Sequence, residues 1–229
     1  MARHIVCLGF ELVASTADDT TVGAARVLDL LTDRDLAATW FVTAAALARA
    51  GALVERLLRD GHEIALLARG AADASAVDAG LEEVRQITGT VPRGCRAPGG
   101  APAVTGSWLA ERGVRYDASG EGLSWWPRRR DDGTGGAGPG VVAMPIVLAL
   151  GGMPLPSARA VTQDWCDELL QMRDAVNFGV LTCAMPLTVI ARGAMLRAFT
   201  TFLDTATACG AVVLTFEAAA REAAERIGI

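Results

Sequence analysis

Apolar runs typical of buried β-strands alternate with stretches of helical spacing along the whole chain. Strands are predicted at 5–9, 36–42, 62–67, 94–96, 114–116, 141–150, 179–184 and 211–216. Helices are predicted at 22–35, 46–60, 75–88, 104–112, 164–178, 192–209 and 217–226. This alternation predicts an α/β fold, in which helices cover a parallel sheet that is either open or closed into a barrel. The 229 residues show no repeat, so we expect a single domain over 1–229.

The segment 123–140 does not follow this pattern. It contains two adjacent tryptophans, three arginines, two aspartates and five glycines. Such a composition is typical of a long surface loop, and its glycine-rich part, 133–140, has the greatest conformational freedom. We therefore predict a mobile loop at about 123–140.

The charge and hydropathy of the chain argue against several classes of protein. A net charge of -5 argues against binding to nucleic acid or to an anionic membrane surface. No apolar run reaches the roughly 18 residues that a membrane-spanning helix needs. The first strand begins at Ile5, which leaves no room for a signal peptide, so we expect a cytoplasmic protein. The apolar fraction of 52% leaves room for a homodimer.

An acidic residue stands at the end of the first predicted strand. Glu11 follows the apolar run that begins at Ile5, and a polar segment starts at Ser15. In barrels of parallel strands, the carboxyl ends of the strands carry the active site. Glu11 is therefore the first candidate catalytic residue. The alternative is a surface carboxylate that happens to end a strand.

Five short motifs, in order along the chain, resemble the polysaccharide deacetylase family, whose fold is the NodB-homology fold. They are Ala38-Thr39-Trp40-Phe41-Val42, Gly61-His62-Glu63-Ile64, Arg96-Ala97-Pro98, Arg115-Tyr116-Asp117-Ala118-Ser119, and a C-terminal segment with Pro186, Ile190, Arg192, Leu196 and Val212. The resemblance covers almost the full length. It implies a distorted (β/α) barrel of about seven parallel strands.

The resemblance also implies metal-dependent amide hydrolysis, for which this chain lacks most of the residues. The family uses an aspartate as base, a second aspartate and two histidines to hold a divalent metal, typically zinc, and a later histidine as acid. At these positions the chain has, in turn, Glu11, Leu12 or Val13, Leu67 and Ala71, and Met185. The arginine of the third motif is kept as Arg96.

These substitutions predict that the chain binds no metal or other cofactor. Leucine, alanine and methionine do not supply the nitrogen or oxygen ligands of a catalytic zinc site. The two histidines, His4 and His62, begin strands and so belong at the opposite end of the barrel. A rebuilt site made from Glu11, Asp18 and Asp19 is the open alternative.

The same substitutions predict an apolar pocket for a hydrophobic small molecule. Nine residues are expected to line it: Leu12, Val13, Trp40, Leu67, Ala71, Trp125, Trp126, Leu148 and Met185. Within it, Glu11 would act as general acid or base, with Arg96 beside it as the second catalytic residue. The alternative for Arg96 is a structural salt bridge, with Glu11 itself as one partner.

Three functions remain open from the sequence. The first is a metal-independent cyclase or isomerase of natural-product biosynthesis, acting on a polyketide-like or terpenoid-like molecule. The second is an inactive pseudo-deacetylase that binds a ligand or a partner protein, with Trp125 to Asp132 as its contact surface. The third is the family's hydrolysis, carried out by a rebuilt site.

Overall fold

The computed structural model describes residues 2–14, 17–69, 73–100, 104–130, 140–151 and 154–229, apart from the side chains of 17–20. Its strands are β1 (Arg3–Leu12), β2 (Thr39–Val42), β3 (Glu63–Leu67), β4 (Gly94–Arg96), β5 (Tyr116–Asp117), β6 (Arg128–Arg129), β7 (Val142–Ala143), β8 (Leu148–Ala149), β9 (Phe178–Pro186) and β10 (Val212–Leu214). Its helices are α1 (Ala17–Thr32), α2 (Ala44–Leu47), α3 (Gly51–Arg59), α4 (Ala74–Thr88), α5 (Gly106–Glu111), α6 (Ala158–Ala175), α7 (Leu187–Ile190), α8 (Gly193–Ala208) and α9 (Phe216–Ile227).

The strands of the described residues form one curled sheet. Their order is β6-β7-β5-β4-β3-β2-β1-β9-β8, and β10 pairs with the first half of β1. The pairing is parallel except between β6 and β7. Because β7 pairs with β5 while β8 pairs with β9, the segment 142–149 joins the two ends of this order and curls the sheet into a barrel. The predicted α/β barrel is confirmed, with ten strands in its sheet where about seven were expected.

One reason for the larger number is Pro145, which divides the strand predicted at 141–150. Proline has no amide hydrogen to donate to a ladder, so β7 ends before it and β8 starts after it. The Thr182 hydroxyl donates to the Pro145 carbonyl and accepts from the Val147 amide at 3.1 Å. A side chain of β9 thus binds backbone groups of the segment between β7 and β8.

The two faces of the sheet are both buried, in different surroundings. Side chains alternate between faces along a strand, and residues paired between parallel neighbours point the same way. The inner face packs in the barrel interior, where Cys7, Phe41 and Leu67 belong to one apolar cluster. The outer face packs under the helices, where Leu8 and Phe10 belong to the other.

Helix α9 closes the amino end of the barrel. Its first residue, Phe216, packs against the rings of Phe41 and Tyr116, with centroids 5.1 and 5.7 Å away. The buried Glu63 carboxylate accepts hydrogen bonds from Thr39 Oγ1 at 2.6 Å, Tyr116 Oη at 2.7 Å and the Glu217 amide of α9 at 3.0 Å. Burial raises the pKa of Glu63. Packed aromatic rings and a hydrogen-bonded carboxylate thus occupy the amino end of the barrel.

Residues 123–130, the described half of the predicted loop, are held by hydrogen bonds and an ion pair. The Trp125 carbonyl accepts from the Val180 amide at 2.8 Å, and Trp125 Nε1 donates to Glu168 of α6 at 2.7 Å. Residues 128–129 form β6, and Arg130 pairs with Asp117 at 3.0 Å. Residues 131–139 lie outside the described residues. Among the helices that are described, none is both long enough and apolar enough to cross a membrane.

Candidate functional site

Glu11 and Arg96 form an ion pair at the carboxyl end of the barrel. Arg96 Nε donates to Glu11 Oε1 at 2.6 Å, and Arg96 Nη1 donates to the Ala118 carbonyl at 2.8 Å. The Arg96 side chain is 3% exposed and that of Glu11 is 14% exposed. The predicted salt bridge between them is therefore present. Both residues point inward because each stands near the end of its strand on the interior face.

A second buried ion pair supports the first. Asp117 is paired through Oδ2 with Arg130 at 3.0 Å, and its Oδ1 accepts from the Ser119 amide at 2.9 Å. The Ser119 hydroxyl in turn accepts from the Ala97 amide at 2.8 Å. These bonds fix the chain on both sides of the Ala118 carbonyl that holds Arg96. Sequence reasoning did not assign Asp117 and Arg130, although an acid at the end of a strand is the signal that singled out Glu11.

Two of the nine predicted pocket residues lie with the ion pair. Leu67, at the end of β3, is the register partner of Arg96 and is 3% exposed. Val13 follows β1 and packs partly buried against the interior cluster. Ala71 lies outside the described residues.

Four other predicted pocket residues point away from the interior. Leu12, Trp40, Leu148 and Met185 all belong to the apolar cluster beneath the helices. The Trp40 ring packs 5.1 Å from the ring of Phe10, and Met185 is the register partner of Phe10. The prediction placed them at the pocket because it considered the ends of strands without the two-residue alternation of their side chains.

Trp125 and Trp126, which were also predicted to line the pocket, lie at the other end of the barrel. The backbone of Trp125 contacts Val180, and the Trp126 ring lies 5.6 Å from that of Phe178. Phe178 begins β9 and pairs with Arg3, the first residue of β1. Both tryptophans are therefore near the amino ends of the strands, far along β1 from Glu11.

Comparison with known proteins agrees with this architecture. Residues 6–67 match the family model of polysaccharide deacetylase. A Mycobacterium smegmatis protein assigned to the polysaccharide deacetylases has a crystal structure that superposes with a TM-score of 0.81 at 22% identity, over 98% of this chain and 91% of that one. The chain has the polysaccharide deacetylase fold.

Two further crystal structures share the polysaccharide deacetylase fold with this chain. A Pseudomonas aeruginosa PAO1 protein with the same assignment gives a TM-score of 0.79 at 17% identity, over 98% of this chain and 92% of that one. The Puue allantoinase gives a TM-score of 0.75 at 16% identity, over 98% and 91%. No curated protein matches the sequence. The resemblance inferred from the motifs is thus confirmed at the level of fold.

The metal implied by that resemblance does not fit the described residues at the family's ligand positions. Leu67 has no ligand atom, and Leu12 and Met185 point toward the helices. Within the described part of the chain, no three His, Cys, Asp or Glu side chains are grouped so that they could hold a metal ion. The side chains of Asp18 and Asp19, from the alternative rebuilt site, lie outside that part.

Both histidines make hydrogen bonds at the amino end of the barrel. His4, on β1, has Nε2 at 2.8 Å from the Val176 carbonyl. His62 precedes β3, and its Nδ1 accepts from the Ala38 amide at 3.1 Å. Burial lowers the pKa of His62, which favours the neutral ring. Each histidine thus has a structural partner away from Glu11.

Apolar side chains line the barrel interior beneath the ion pair. Ala118, Met144, Ile146 and Ala184 are all buried to within 1% and belong to the interior cluster. The site therefore offers one carboxylate, one guanidinium and an apolar surround. Chemically, this set can exchange a proton with a ligand that approaches from the carboxyl end.

Proposed function

We propose that this chain is a metal-independent enzyme that moves a proton within an apolar small molecule, as a cyclase or an isomerase does. The observation that carries the proposal is the Glu11–Arg96 ion pair, which puts a carboxylate at the carboxyl end of the barrel. In barrels of parallel strands this end is where catalytic groups stand. The fold that this chain shares with polysaccharide deacetylases also supports the proposal.

In this proposal Glu11 is the general acid or base. Arg96 engages Oε1, so Oε2 is the oxygen that exchanges a proton with the ligand. The Glu11 side chain is 14% exposed, which gives a ligand access to it. Arg96 is only 3% exposed, and its role is to position the Glu11 carboxylate. Because Arg96 is itself held by the Ala118 carbonyl, the carboxylate is fixed in place before the ligand arrives.

The surroundings of the pair favour an apolar ligand. Leu67 and Val13 flank it, and both pack in the interior apolar cluster. Each square ångström of apolar surface removed from water stabilises a complex by about 25 cal/mol. A sugar hydroxyl placed against the same residues would leave its hydrogen bonds unmade. A polyketide-like or terpenoid-like molecule, of the kind made in natural-product biosynthesis, remains the class that we propose.

Two alternatives are each favoured by one observation. Hydrolysis by a rebuilt site is favoured by Asp18 and Asp19, which the sequence places soon after Glu11. An inactive barrel that only binds a ligand is favoured by the ion pair itself, because a carboxylate held by arginine can be a purely structural group.

The test begins with the compounds that the protein carries. Wild-type protein, Glu11→Gln and the exposed control Glu55→Gln are purified from the native host and their bound small molecules extracted for mass spectrometry. We expect Glu11→Gln to retain a compound that metal-free wild-type protein and Glu55→Gln convert into an isomer of the same mass. Two products whose masses add up to that of the compound plus one water, or a single ring-opened product heavier by one water, would indicate hydrolysis. An unchanged compound would indicate an inactive barrel.

A further inference from the structure

The amino end of the barrel carries an exposed group of arginines around a tryptophan. We call it the basic face and define it by Arg93, Arg115, Arg128, Arg129, Arg226 and Trp126. All six residues are exposed or half-exposed. We propose that the basic face binds an acidic segment of a partner protein. The proposal does not rest on the function proposed for Glu11, which lies at the other end.

The hydrogen bonding of the strands brings the arginines together. The Arg93 carbonyl accepts from the Arg115 amide at 2.6 Å, and the Arg115 carbonyl accepts from the Val142 amide at 2.9 Å. Ala143 is the register partner of both Asp117 and Arg128, so Arg128 points to the same side of the sheet as Arg115, which stands two residues before Asp117. Three arginines therefore lie on a path across four neighbouring strands at one end of the sheet.

Trp126 gives the basic face an apolar anchor. Its side chain is 49% exposed, and its ring is supported by Phe178 at 5.6 Å. The Arg226 guanidinium lies 4.3 Å from the Phe178 ring, which joins the aromatic pair to the arginines of α9. Two other large apolar side chains lie nearby along the chain, Leu123 at 89% exposure and Ile227 at 37%. Tryptophan and arginine are among the residues enriched at the energetic centres of protein interfaces.

Charge decides the kind of partner. The chain as a whole carries -5, so a concentration of arginines at one end contrasts with the rest of the molecule. Among the acids at this end, Glu222 is occupied by Arg3 and Arg226, and Glu225 is exposed. Asp131 and Asp132 follow β6 and lie outside the described residues. A partner with carboxylates and an apolar side chain would match both the arginines and Trp126.

A displayed library of random peptides is the probe that tests this. Peptides are selected on wild-type protein and counter-selected on a variant with Trp126→Ala, Arg128→Glu and Arg129→Glu. The survivors are synthesised, and their affinities are measured by fluorescence anisotropy at two salt concentrations. The matched control is Arg49→Glu with Arg197→Glu, two exposed arginines outside the basic face, which changes the net charge as much as Arg128→Glu with Arg129→Glu does.

We expect the survivors to be rich in aspartate and glutamate with at least one apolar residue. Arg128→Glu with Arg129→Glu should weaken their binding by ~10-fold or more, and the control pair by less than ~2-fold. Weakening of similar size by the two pairs, or survivors without acidic residues, would overturn the proposal. It would also be overturned if anionic vesicles or single-stranded RNA bound these arginines while no peptide survived, or if Trp126→Ala dissolved a dimer of the chain. Circular dichroism confirms that each variant is folded.

Discussion

Arg96 on β4 reaches across the barrel to Glu11 on β1, with 2.6 Å between Nε and Oε1. Two strands, β2 and β3, separate β1 from β4 in the sheet. The ion pair therefore crosses the barrel interior and does not join neighbouring strands. It ties opposite walls together at the end where the strands finish. The candidate catalytic pair is therefore also a structural contact. Its effect on stability and its effect on ligand conversion can be tested separately.

Removing the arginine should cost more stability than removing both charges. Arg96→Met leaves the Glu11 carboxylate without its partner, and we expect the free energy of unfolding to fall by about 2–4 kcal/mol. The double variant Glu11→Leu with Arg96→Met should recover most of that loss, because no unpaired charge remains. Urea denaturation of the three proteins measures the difference. A double variant less stable than Arg96→Met would show that the unpaired carboxylate is not the source of the loss.

Stability at the amino end should depend on pH through Glu63. Burial raises the pKa of Glu63 above its ordinary 4.5, so the folded state binds this proton more readily than the unfolded state. Its contribution to stability is therefore complete below about pH 4.5 and is lost as pH rises through the raised pKa. The measurement is the free energy of unfolding of wild type minus that of Glu63→Gln, followed from acid to neutral pH. We expect this difference to decrease with rising pH; a difference that grows would mean that the hydrogen bonds to the carboxylate outweigh its burial.

Gly94 should tolerate no side chain. A Cβ there would lie 1.9 Å from the Tyr116 ring, whose hydroxyl holds Glu63. Gly94→Ala should therefore displace Tyr116 and destabilise the protein by about 2 kcal/mol or more. Gly193→Ala is the control, since nothing lies within 4 Å of its Cβ, and it should be neutral or slightly stabilising. Thermal denaturation of both variants is sufficient; equal melting temperatures would argue against the packing described for the amino end.

The motif order was enough to predict the fold, and the pair of Glu11 with Arg96 was among the predicted contacts. The pocket was not predictable to the same degree. Leu12 and Met185 stand at strand ends as expected, but the alternation of side chains turns them toward the helices. The prediction that Trp125 and Trp126 line the pocket came from composition alone. Their observed position depends on a backbone hydrogen bond to Val180 and a ring contact with Phe178. Such contacts join residues more than fifty positions apart, which no local pattern reports.

Substitutions on the two faces of the sheet should differ in their effect on ligand binding. Leu67→Ala removes apolar surface beside the ion pair, and we expect it to weaken binding of the compound extracted from Glu11→Gln by ~10-fold. Met185→Leu changes a side chain that faces the helices and should leave that binding unchanged. Isothermal titration of both variants gives the comparison. Equal weakening by the two would show that ligand binding does not distinguish the faces of the sheet.

The most direct measurement of the central claim is conversion of that extracted compound by wild-type protein before and after removal of metals by a chelator, with elemental analysis of both samples. The account predicts the same rate of formation of an isomeric product in both, and its loss in Glu11→Gln. Activity that disappears with the metal and returns with added zinc would contradict it.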